Sequence, residues 1–66
     1  MLNFVDLTTQ IANEMAVMFT LTGEALIEYR SLVERYVKGE PVSDQDIETL
    51  QSKDAQRAFR KLKLEV

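Results

Sequence analysis

The chain reads as an all-α fold: a helical hairpin of two longer helices followed by one or two short helices, with a bundle completed by self-association. Three observations predict it. Apolar residues recur at helical spacing over Asn3–Phe19 and again over Gly23–Lys38. Gly39-Glu40-Pro41 then stops the second pattern and opens a shorter C-terminal pair. Finally, 25 of the 66 residues are large apolar ones (Leu, Ile, Val, Met, Phe, Tyr), too many for a disordered chain.

In the first element, at 100° per residue, Phe4, Leu7, Ile11, Met15 and Met18 fall on one stripe, flanked by Val5, Ala12, Ala16 and Phe19. Asn3, Asp6, Gln10, Asn13 and Glu14 take the other face, with Val17 the lone apolar residue among them. This apolar arc is wider than one short partner helix covers.

Phe19-Thr20-Leu21-Thr22-Gly23 breaks the pattern. Thr22 suits an N-cap, and Glu24 in the following first turn complements the helix dipole. The second stripe, Ala25, Leu26, Tyr29, Leu32, Val33, Tyr36 and Val37, spans roughly 140°. Arg30–Glu34 and Glu34–Lys38 are opposite-charge pairs four residues apart on its solvent side, and Ile27 lies opposite the stripe.

Gly39 suits the left-handed position just past a helix, and Pro41 cannot continue one. Ser43 and Asp46 then form a capping box, with Val42 and Ile47 placed as a hydrophobic staple, so a third helix starts at Asp44. A helix unbroken from there to Leu62 would let its apolar face drift and bring Asp54 towards the buried side. A break is expected instead, with Ser52 capping a fourth helix whose buried face is Ala55, Ala58, Phe59, Leu62 and Val66.

Sixty-six residues make a single domain, 1–66, near the size at which a chain buries only roughly 60% of its unfolded surface. Small domains of this kind usually need help. The chain has no Cys and no His, so neither a disulfide nor a structural zinc site is available, and self-association is the expected support. No apolar run approaches a membrane span, and Met1–Phe19 lacks a basic leader start, so a cytoplasmic protein without membrane contact is expected.

Catalytic readings are poor in material. His, the commonest general base, is absent. Ser43 and Ser52 are read as helix caps, Ser31 as a solvent-side residue, and Tyr29 and Tyr36 as core-edge residues with wet hydroxyls. Asp44, Asp46 and Glu48 resemble the start of a calcium loop, but Thr49 stands where the turn needs Gly and Ala55 where it needs Glu. No enzyme, cofactor or metal is expected. The first helix also carries only acids on its polar face, Asp6 and Glu14, which does not suit an anionic lipid surface.

The expected function is therefore a non-enzymatic protein-interaction module: a small adaptor, inhibitor or assembly factor acting through apolar helix faces. Its interface residues are Phe4, Ile11, Met15, Val17, Met18, Phe19 and Ile27, and its partners are a second copy, as an isologous dimer, and another protein. The alternative is a small DNA-binding regulator. Residues 1–48 hold nine acids and three bases, whereas residues 49–66 hold two acids and five bases. Those bases, Lys53, Arg57, Arg60, Lys61 and Lys63, share one face and would meet nucleic acid or an acidic partner.

Overall fold

Four helices form where the local signals place them. The computed structural model describes residues 3–66, with α1 at Phe4–Met18, α2 at Gly23–Val37, α3 at Asp44–Glu48 and α4 at Lys53–Glu65. Met1 and Leu2, the start of the segment read above for a leader, lie outside the described residues. Among the described residues no helix is long and apolar enough to cross a membrane.

Side chains close most of the N-termini. Asn3 Oδ1 accepts from the Asp6 N–H at 2.8 Å, and Ser52 Oγ accepts from the Ala55 N–H at 3.2 Å. At α3 the box is reciprocal: the Ser43 N–H donates to Asp46 Oδ2 at 3.0 Å, and the Asp46 N–H donates to Ser43 Oγ at 3.3 Å. That backbone donor, together with the Ser43 hydroxyl and the nearby Arg35, holds the Asp46 carboxyl below its ordinary value against a smaller opposing effect of burial. Thr22 occupies the N-cap of α2 in extended backbone, but its side chain makes no capping bond.

The first two C-termini close in one way with different residues. After α1 the Thr20 N–H bonds Val17 O and the Leu21 N–H bonds Ala16 O; after α2 the Gly39 N–H bonds Tyr36 O and the Glu40 N–H bonds Arg35 O. Both motifs require a left-handed residue. Gly39 supplies it at φ 87°, whereas Thr20 adopts φ 56° despite its branched Cβ.

α2 reverses on α1 through the four-residue turn at 19–22. Two bonds fix the ends of α4: the Gln51 N–H just before it donates to Glu28 Oε1 in α2 (3.0 Å), and Lys63 near its end donates to Val42 O in the segment after α2 (3.1 Å). α4 packs on both long helices, most extensively on α1. Ile47, Ala55, Ala58, Phe59 and Leu62 are fully buried, and Val42 and Leu50 seal the segments around α3.

Two expectations change. Tyr29 has no wet tip: it is 1% exposed, and its hydroxyl donates to the Ala12 carbonyl at 2.7 Å. α1 buries Thr8, Ala12, Met15 and Ala16, so its inner face is rotated by about 80° from the predicted stripe at 100° per residue. Close helix packing favours small side chains, so the alanines turn inward and larger residues are left at the flank.

Candidate protein-interaction surface

That rotation uncovers a line of side chains on α1. Phe4, Leu7, Ile11, Glu14 and Met18 succeed one another at steps of three and four residues, the spacing that keeps them along one edge of a helix. Phe4 is 53%, Leu7 42% and Met18 58% exposed, while Ile11 is half-buried against the core. Phe4 is steadied by Tyr36, whose ring centroid lies 6.5 Å away. Glu14, also exposed, is the single charge in the row and forms no ion pair among the described residues.

The other sequence-predicted interface residues scatter. Met15 is buried in the core and offers no free surface, while Phe19, like Ile11, is half-buried against the core but lies off the row. Val17 and Ile27 are exposed at 80% and 69%, but they lie off the row: Val17 on the far side of α1, Ile27 on the outer face of α2. Three exposed apolar residues, Val5, Leu7 and Leu64, were not singled out as interface candidates. Leu64 was legible in principle, since two helical residues after the buried Leu62 places it opposite.

Between α1 and α2 runs a shallow groove made of two depressions that share Asn13 and Arg30. Its α2 wall carries Leu26, Arg30, Val33 and Val37, again at steps of four, three and four, with Glu34 beside them and held by Lys38. Val33 is buried, and Leu26 and Val37 are half-buried. Arg30 is exposed and has no acidic partner among the described residues, because Glu34 turns to Lys38 instead, at 3.0 Å. The expected Arg30–Glu34 pair is thus absent.

The basic face of α4 is smaller than its sequence implies. Lys63 points away from it and holds the Val42 carbonyl, and Arg57 is paired with Asp54 at 3.6 Å. Lys53, Arg60 and Lys61 remain exposed without an ion pair among the described residues.

Reactive groups are engaged in structure. Burial pushes the Tyr29 hydroxyl up to about 12, which keeps it protonated as a donor to Ala12. Ser43 and Ser52 cap helices, Ser31 is exposed on α2, and no group of three or more metal-ligating side chains occurs among the described residues. The buried Thr8 hydroxyl, a polar group the periodicity did not flag, has no hydrogen-bond partner among the described residues.

No known protein family, curated protein or solved structure matches this chain.

Proposed function

We propose that the chain is a non-enzymatic protein-interaction module, a small adaptor, inhibitor or assembly factor, that binds protein through the α1 row Phe4, Leu7, Ile11 and Met18. One observation carries this reading: Phe4, Leu7 and Met18 lie outside the core and stay exposed, with Ile11 anchoring the row against it, so the apolar area of those three is free for another surface. Burial of the row supplies the affinity and the surrounding polar residues set the orientation. The partners are a second copy of the chain, another protein, or both. A cytoplasmic setting belongs to the same proposal, to be checked by fractionation.

The test is capture from source cells by the full chain and by its Leu7→Glu/Met18→Glu variant, read by mass spectrometry. A partner retained by the first and lost by the second supports the module; equal retention by both, or none by either, overturns it. The second reading, a DNA-binding regulator, is supported by Lys53, Arg60 and Lys61 on the outer face of α4. Against it stand the net charge of −3 and the loss of Lys63 and Arg57 to internal contacts.

A further inference from the structure

We infer that the α1 row of one copy docks into the α1/α2 groove of the next, antiparallel to α2, with Glu14 set against Arg30. This rests on the proposed function and names the occupant of its surface.

The argument begins with spacing. The row Leu7, Ile11, Glu14, Met18 and the groove wall Leu26, Arg30, Val33, Val37 both step by four, three and four residues. Each of these four-residue sets has three apolar members and one charge, of opposite sign in the two, and the acid that also borders the groove, Glu34, is already paired with Lys38. In the row the charge is third in chain order; in the wall it is second. Antiparallel alignment therefore brings every position into register: Leu7 on Val37, Ile11 on Val33, Glu14 on Arg30 and Met18 on Leu26. Parallel alignment would place Glu14 on Val33 and Arg30 on Ile11, leaving both charges against apolar side chains. Lengths agree as well, since each four-member set spans about 16 Å at the helical rise of 1.5 Å.

Charge then decides between this contact and a twofold pairing of α1 rows. Such a pairing would gather two Glu14 carboxylates in one apolar seam without a cation in either row, whereas the groove supplies a guanidinium that has no acidic partner among the described residues. A helix seated between two others is also the ordinary geometry of a bundle, so the contact supplies the third helix that this side of the hairpin lacks. Val17, isolated and 80% exposed, lines the same groove and is covered by the incoming helix.

The row and the groove occupy opposite flanks of α1, so one contact leaves both copies with a free surface. The assembly is heterologous and grows to a ring or a filament instead of closing as the isologous dimer expected from sequence.

Sedimentation velocity on the full chain over a wide concentration range tests this, with Glu14→Arg, Arg30→Glu and the double variant alongside. Both positions are exposed, and circular dichroism of each variant serves as the check that it is still helical. Wild type should associate beyond a dimer; each single variant should weaken association by about tenfold or more, and the double variant should recover it. An equimolar mixture of the two single variants should associate too, because each contact in an alternating array then pairs opposite charges. A wild-type monomer at every concentration, a closed dimer strengthened by Glu14→Arg, or a double variant as weak as the singles would overturn the inference. Partner capture that depends on Leu7 and Met18 but not on Glu14 or Arg30 would overturn it while leaving the interaction module standing.

Discussion

Tyr29 and Ala12, 17 residues apart, join the two long helices through a buried 2.7 Å hydrogen bond from the phenol to a mid-helix carbonyl. The carbonyl has two lone pairs, so it can accept this bond in addition to the one its own helix provides. The Tyr29 ring stands edge-on to Phe59 at 6.4 Å, and Tyr36 meets the same Phe59 at 5.6 Å, so α4 is keyed to α2 by aromatic edges. Tyr29→Phe keeps the packing and removes only the donor. It is expected to cost about 1 kcal/mol in urea unfolding, because the Ala12 carbonyl keeps its helical bond.

The same tyrosine predicts a loss of stability in alkali. Its hydroxyl ionises near 10 in the unfolded chain and only at about 12 when folded, so the unfolded state releases its proton first. The contribution is fully present below pH 10 and is lost as pH rises through 12. Stability should fall by about 2–3 kcal/mol across that window, and Tyr29→Phe should remove most of the slope. A Tyr29→Phe profile parallel to wild type would defeat this assignment.

Thr8 is fully buried, and its hydroxyl is unpartnered among the described residues. Val has nearly the same shape and no polar atom, so Thr8→Val is expected to raise unfolding free energy by about 1–2 kcal/mol. A destabilised Thr8→Val protein would show that the hydroxyl is satisfied in solution.

Thr20 and Gly39 fill equivalent left-handed positions, and only one is suited to it. Thr20→Gly should stabilise by about 1 kcal/mol, and Gly39→Ala should destabilise by a similar amount through backbone strain, since nothing lies within 4 Å of an added Cβ. Thermal melts of the pair should therefore move in opposite directions.

Leu7→Glu and Met18→Glu change exposed positions, so their urea midpoints should correspond to wild-type stability within about 0.5 kcal/mol while binding is lost. A large loss of stability would place these side chains in the fold and not in an interface.

Duplex DNA should leave the mobility of the chain unchanged at physiological salt. A salt-sensitive shift abolished by Lys53→Glu and Arg60→Glu would favour the regulator over the interaction module.

Much of the fold was legible because its signals are local. The Ser43–Asp46 box, the Ser52 cap and the Gly39 stop are each written within four or five residues. The surface was less legible. Periodicity marked Met15 and Phe19 together with Phe4 and Met18, although the structure separates core from exposed members, and it grouped Lys63 with bases from which a contact 21 residues away removes it. Thr20 carried no sequence mark of a left-handed residue.

By itself the sequence determined an all-helical chain, the extents of its two long helices to within a residue or so, the start of a third at Asp44 and the chemistry left to it without His or Cys, since helix periodicity and capping depend on neighbours within a turn or so. Tertiary structure decided which side of α1 is covered, that Tyr29 is buried and bonded, that 44–65 divides into two helices, and that Glu14 and Arg30 form no ion pair among the described residues. Those outcomes depend on which distant helix lies alongside, and an amphipathic pattern specifies an apolar side without specifying what will cover each part of it.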